Sequence, residues 1–250
     1  MVKTWLLALC LALYLVCGGA VTATAAPTFT VAHDATWPPM EFTDEKLNIV
    51  GYSVDYIDAV AKEGGFSLKH ENVAWDGIFA GLAGKQYDII ASSVTITEER
   101  GKVMDFSIPY FEVRQALITP KEVEVKSLED MAGKRVGAQI GTTGFMAAEK
   151  IKDINAITYD EIGLGMADLA AGRLDAVICD DPVATNFILD NKDYAAKMKV
   201  ALIVPADVPE YYGFAVNKGN KEVLEYLNKG ITAVKEKGIE AELRKKWIGQ

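Results

Sequence analysis

The spacing of apolar positions changes repeatedly along this chain. Runs rich in β-branched and aromatic residues lie at Thr28–His33, Leu68–Val73, Tyr87–Ser92, Arg114–Thr119 and Arg135–Gln139. Further runs of the same kind follow at Ala156–Tyr159, Asp175–Cys179, Val200–Val204 and Gly213–Asn217. All of these read as strands. Between them the period lengthens: Val54, Ile57, Val60 and Ala61 share one helical face, Ile78, Phe79 and Leu82 another, and Met166, Leu169 and Ala170 a third. Thr143–Ile151, Pro182–Leu189 and the long stretch Glu222–Lys246 also read as helical. Strands alternating with helices predict an α/β fold of parallel or mixed sheets covered by helices on both faces.

Polar residues punctuate this pattern at the ends of strands. Asp34 follows the first strand, Ser92 and Ser93 follow another, Gln139 closes a third, and Cys179-Asp180 close a fourth. In open α/β sheets ligands bind beyond the carboxyl ends of strands, so these groups predict one convergent site.

The opening residues MVKTWLLALCLALYLVCGGAVTATA fit no core element. One lysine precedes an apolar run, and Ala23-Thr24-Ala25 matches a small-residue cleavage pattern, so residues 1–25 read as a secretory signal peptide with the mature chain starting near Ala26. Acylation at Cys17 fits less well, because bulky Val16 precedes it. Loss of this segment leaves Cys179 as the one thiol, which excludes an intramolecular disulfide, and makes the chain more acidic than its formal charge of −9. No later apolar run spans a bilayer, and no basic cluster tracks phosphates. An exported, soluble protein with no nucleic-acid partner is expected.

Arg100 sits oddly. Thr97 reads as an N-cap with Glu98 and Glu99 in the first helical turn, where the helix dipole favours acids and disfavours a cation. The arginine either pairs with those acids on the surface or turns back to grip an anion together with Ser92, Ser93 and Thr95. In IGTTGFMAAEK, Thr142 or Thr143 can cap a second helix whose free amides face the same way. In DAVICDDP, Pro182 fits the first helical position and Asp181 its N-cap, which leaves Asp180 free to accept from an ammonium. Asp34 either makes an Asx-turn into Pro38-Pro39 or meets a ligand. Trp37 and Tyr52 either sandwich a side chain or plug the core. His33 faces the opposite way from Asp34 on its strand, so the two do not form an acid-base dyad. The histidines lack metal-ligand spacing, and no nucleophile elbow, P-loop or dinucleotide fingerprint is present. The surviving set holds donors for a carboxylate, acids for an ammonium and aromatic walls, which together recognise an amino acid. No catalytic residue and no cofactor is expected.

Six fragments in order, VAHDATWPPMEF, IVGYSVDYIDAVAKEGGF, YDIIASSVTITEERGKVMDFSIPY, LEDMAGKRVGAQIGTTG, AGRLDAVICDDP and YYGFAVNKGN, resemble the polar amino-acid family of periplasmic solute-binding proteins. The resemblance covers the whole mature chain. It implies a two-lobe type II periplasmic-binding-protein fold, with two mixed sheets joined by two crossing hinge strands that close on the ligand. The lobes would be residues 26–114 plus 212–250, and residues 115–211. Val113–Thr119 would carry the chain across, and Tyr211–Val216 would bring it back. The family pattern gives Arg100 the ligand α-carboxylate, with Thr95 and the backbone of Thr143, and gives Asp180 and Ser93 the α-ammonium. It puts Trp37 and Tyr52 beside the side chain, Asp34 at its polar end, and Ser92, Gln139 and Thr142 along the walls. Gln139 stands where some members carry lysine, and Cys179 where they carry varied polar residues.

An acid at Asp34 repels acidic side chains, so arginine or lysine is expected ahead of glutamine and histidine. The resemblance further implies a monomeric periplasmic receptor that delivers its amino acid to the permease and ATPase of an ABC importer. Two alternatives stand beside it. One is a cyclohexadienyl dehydratase acting on prephenate or arogenate on the same fold. The other is the sensing domain of a signalling protein, which the ending KKWIGQ, free of any membrane span or output domain, disfavours.

Overall fold

The computed structural model describes residues 26–249. The expected signal peptide, with Cys17, lies outside them. Two five-stranded sheets share one design. In the first, the order is Ser67–Asn72, Thr28–His33, Ile89–Ile90, Ala215–Asn217 and Met104–Phe106. Its first three strands are parallel, and Ala215–Asn217 runs antiparallel to both neighbours. The second sheet has the order Asn155–Tyr159, Arg135–Gln139, Ala176–Asp180, Gln115–Pro120 and Met198–Ile203. Again the first three are parallel, and the fourth, Gln115–Pro120, opposes both neighbours.

In each sheet that reversed strand is the one the connecting ribbon delivers. Phe111–Val113 leads into Gln115–Pro120, and Glu210–Tyr212 leads back to Ala215–Asn217. The two ribbon strands pair antiparallel, Val113 opposite Glu210 and Phe111 opposite Tyr212. This is the two-lobe α/β arrangement of type II periplasmic binding proteins, with two crossing strands between the sheets.

Helices cover the sheets with their apolar stripes. Tyr52–Gly64 buries Val54, Ile57, Val60 and Ala61, the face read from the sequence. Lys221–Glu236 packs against it with Val223, Leu227, Ile231 and Val234, spaced four, four and three residues apart. Burying each of these side chains stabilises the fold by about 1.5–3 kcal/mol. The helices approach so closely that a Cβ on Gly230 would meet the Val60 carbonyl oxygen at 2.2 Å, which only glycine avoids.

Two expectations need correction. The single helix read over Glu222–Lys246 is two, Lys221–Glu236 and Ile239–Trp247, because Gly238 takes a left-handed φ of 72° and turns the chain. Helix Asp181–Asp190 also begins one residue earlier than expected, so its N-cap is Asp180 rather than Asp181. Asp181 is held instead by Arg114, which donates from its backbone N–H at 3.1 Å and from its guanidinium at 2.9 Å.

Candidate functional site

The carboxyl ends of Thr28–His33, Ile89–Ile90, Arg135–Gln139 and Ala176–Asp180 converge on a cavity between the two sheets. Ten of the eleven residues singled out from the sequence line it: Asp34, Trp37, Ser92, Ser93, Thr95, Arg100, Gln139, Thr142, Thr143 and Asp180. Tyr52 does not. It opens helix Tyr52–Gly64 and turns inward, where its ring packs on Tyr56 and Phe111 and Arg244 lies over it. Glu41 and Trp75 complete the lining and were not anticipated.

Arg100 is the cation of this lining. Thr97 caps its short helix by accepting from the Arg100 backbone N–H, and Glu99 pairs with Lys102 instead. The Arg100 side chain is only 8% exposed. It turns back across the helix start and donates to the Thr95 carbonyl at 2.8 Å and to the Gly141 carbonyl at 3.1 Å. Those bonds use two of the five N–H donors on a guanidinium. The guanidinium carbon sits 5.8 Å from the Trp75 ring centre and 5.2 Å from that of Phe79, within cation–π range. Burial lowers the Arg100 pKa to about 10, against the pull of Asp180 and Glu210, so it remains a cation at neutral pH.

Three acids line the same cavity. Asp34 accepts from Gln139 at 2.9 Å and from the Thr36 hydroxyl at 2.9 Å, while its backbone N–H donates to Ser92 Oγ at 2.8 Å. Asp180 accepts from Gln115 at 2.7 Å and from the Tyr212 hydroxyl. Glu41 is fully buried and accepts from Ser93 Oγ at 2.9 Å. Burial raises the pKa of all three, Asp180 to about 6, although their hydrogen bonds oppose the shift. Ser93 reaches Glu41 from a left-handed backbone, with φ 47°, a conformation that costs a non-glycine residue energy.

Residues from both sheets meet across the cavity. Gln139 spans from the Asp160 carbonyl on its own side to Asp34 on the other. Thr95 meets Thr143 at 3.3 Å, and Trp75 donates to the Ile140 carbonyl at 2.8 Å. Thr142, not Thr143, caps helix Thr143–Glu149 by accepting from Phe145. Cys179 is buried in the core beside the site, where burial raises its thiol pKa.

His33 points away from the cavity, as its place on the strand requires. It is buried, hydrogen-bonded to His70 at 2.9 Å, and lowered to a pKa of about 3 by burial and by His70, so it stays neutral. Among the described residues no group of three or more His, Cys, Asp or Glu side chains is placed to hold a metal ion, and no helix is long and apolar enough to cross a membrane.

This architecture, a small cavity between two lobes lined by one cation and three acids, is that of an amino-acid-binding solute-binding protein. The chain belongs to the bacterial extracellular solute-binding proteins, family 3, which it matches over residues 29–250. It is 34% identical over 249 residues to a probable histidine-binding protein of Neisseria gonorrhoeae, covering 94% of this chain and 92% of that one. An ancestral arginine-binding protein bound to arginine superposes with a TM-score of 0.83 at 36% identity, covering 90% of this chain and 99% of the other. An ancestral amino acid-binding protein, a precursor of cyclohexadienyl dehydratase, superposes with a TM-score of 0.79 at 32% identity, covering 88% and 95%.

Proposed function

We propose that this protein is a periplasmic receptor for a basic or polar amino acid, arginine or lysine ahead of glutamine and histidine. It closes on that ligand and delivers it to the permease and ATPase of an ABC importer. The observation that carries this reading is the charge composition of the cavity: one buried guanidinium, Arg100, and three carboxyl groups, Asp34, Glu41 and Asp180. A zwitterion engages the guanidinium and one acid. Two acids then remain, which favours a further cation on the ligand and disfavours a glutamate or aspartate side chain.

In this reading Arg100 holds the α-carboxylate with Thr95 and the Thr143 backbone, and Asp180 and Ser93 take the α-ammonium. Trp37 flanks the side chain, Asp34 meets its far end, and Ser92, Gln139 and Thr142 complete the walls. The moving bodies are residues 26–114 plus 212–250, and residues 115–211, turning about the ribbon of Phe111–Val113 and Glu210–Tyr212. The bonds Gln139–Asp34 and Trp75–Ile140, which run from one of these bodies to the other, support closure in this reading. Calorimetric titration with arginine, lysine, histidine, glutamine and glutamate tests the reading. Binding of arginine or lysine at lower concentration than glutamine is the expected order, and tight glutamate binding without an arginine response would refute it.

One observation favours a second reading. Asp180, raised to about 6 in a site with a buried arginine, has the character of a general acid, and a precursor of a dehydratase shares the fold. Such an enzyme would act on prephenate or arogenate. Release of phenylpyruvate from prephenate distinguishes it; the receptor reading expects none.

A further inference from the structure

The three cavity carboxyl groups differ in one respect that bears on which ligand is held. Both oxygens of Asp34 already accept protein hydrogen bonds, from Thr36 and Gln139. Both oxygens of Asp180 do so too, from Gln115 and Tyr212. Glu41 has only one oxygen engaged: Oε2 accepts from Ser93, while Oε1 is buried with no partner at all. An unpartnered buried carboxyl oxygen costs about 1–3 kcal/mol or more, so its persistence at a cavity wall calls for a donor that arrives from outside. Beside it the Trp37 indole N–H, on the strand that pairs with Glu41, is also buried and unpartnered.

We propose that Glu41 is a specificity-determining residue whose free oxygen accepts a hydrogen bond from the cationic end of the ligand side chain. It thereby selects a guanidinium or ammonium over a neutral amide. This inference rests on the receptor reading above and names the group that discriminates within it.

Geometry around Glu41 supports a role tied to charge. The groups that face it are Ser93, Ser53, Tyr110 and Tyr212, with Asp34 and Asp180 as the neighbouring acids. None of these is a cation. In the empty site burial, and after it the two acids, raise the Glu41 pKa and favour its protonated form. A cationic side chain arriving at Oε1 replaces that proton as the compensating charge, so binding of arginine or lysine releases a proton from Glu41 to solvent. Glutamine carries no charge there and leaves the proton in place.

The test combines affinity with proton release, in wild type and Glu41→Gln, an isosteric change that keeps an acceptor for Ser93. Arginine, lysine and glutamine are titrated near pH 7 in two buffers of different ionisation enthalpy, and unfolding of the ligand-free variant is followed alongside. Wild type is expected to release more protons with arginine than with glutamine. Glu41→Gln should lose that excess and bind arginine and lysine roughly tenfold or more weakly, since a buried charge pair has been removed. Its glutamine affinity should fall by a smaller factor than its arginine and lysine affinities. Equal losses for all three ligands, or unchanged ligand ratios and proton release, would overturn the proposal while leaving amino-acid binding established. Should wild type bind none of the panel, the receptor reading fails and this inference with it. Should Glu41→Gln not fold, the wild-type difference in proton release between arginine and glutamine decides alone, and its absence overturns the proposal.

Discussion

The cation and the acids of the cavity are held in opposite ways. The single cation is held by backbone carbonyls of Thr95 and Gly141 and by the faces of Trp75 and Phe79, with no carboxylate bonded to it. The protein partners of the three carboxyl groups are neutral donors from Gln139, Gln115, Thr36, Tyr212 and Ser93. Among the described residues no ion pair joins the guanidinium to these acids, although Asp180 still pulls on Arg100. A buried charge that lacks a counter-ion is costly unless something completes it. A molecule that carries both signs would supply what each charged group lacks, as the receptor reading expects. In the receptor reading the ligand carboxylate meets one cation, Arg100, whereas the ligand's positive charge meets several acids.

That contrast predicts unequal mutational sensitivity. Arg100→Ala removes the only cation lining the cavity among the described residues, and truncating one partner of a buried charge pair costs about 2–5 kcal/mol. Arginine, lysine and glutamine should all bind at least roughly thirtyfold more weakly. The folded circular dichroism spectrum should persist, because the side chain's own bonds go only to two carbonyls. Normal binding by this variant would remove the distinction between the cation and the acids.

Next in size is the pH dependence of the acids. Asp180 has its folded pKa raised to about 6, above the ordinary carboxylate value, so its contribution to stability is fully present below the unfolded pKa. That contribution is lost as pH rises through about 6, where the buried acid must ionise. Asn at this position cannot ionise and retains an acceptor for Gln115 or Tyr212. Ligand-free Asp180→Asn should therefore gain stability relative to wild type at pH 8, by about 1–3 kcal/mol, with the difference shrinking toward pH 4. Denaturant unfolding at the two pH values measures it. A difference that grows toward low pH would show that Asp180 is compensated in the empty site.

How far the chain announces this arrangement varies by element. Regular strands and helices with a strong apolar period, such as Thr28–His33 and Tyr52–Gly64, stand out because burial enforces the period. Asp34, Ser93, Gln139 and Asp180 stand out because each follows or ends such a strand. Glu41 is hidden: it lies on the three-residue strand Glu41–Thr43, too short to show alternation, and an acid there reads as surface until the fold buries it. Trp75 follows a recognisable strand, Ser67–Asn72, so the strand-end criterion extended to aromatics finds it. Tyr52 misleads for a related reason. Its position at the start of a helix beside Trp37 is visible, but the direction of its ring depends on Phe111 and Arg244, which are distant in the chain. Distant partners also explain Asp181, whose tie to Arg114 across the sheet displaces it from the cap.

The smallest effect belongs to Asp34, and it sharpens the contrast most. Its oxygens are already engaged by Thr36 and Gln139, so it acts on a ligand mainly through charge rather than as an open acceptor. Asp34→Ala leaves Gln139 bonded to the Asp160 carbonyl, and the wall should hold its shape. With Glu41 and Asp180 still present, recognition of the ligand's positive charge is weakened rather than abolished. Arginine and lysine should lose about 1 kcal/mol relative to glutamine, roughly a fivefold change in the affinity ratio. Competition between labelled arginine and unlabelled glutamine reads that ratio directly. If Asp34→Ala instead weakened every amino acid by the same factor, Asp34 would belong to the backbone-recognition machinery alongside Asp180. Shared recognition of the ligand side chain would then rest on Glu41 alone.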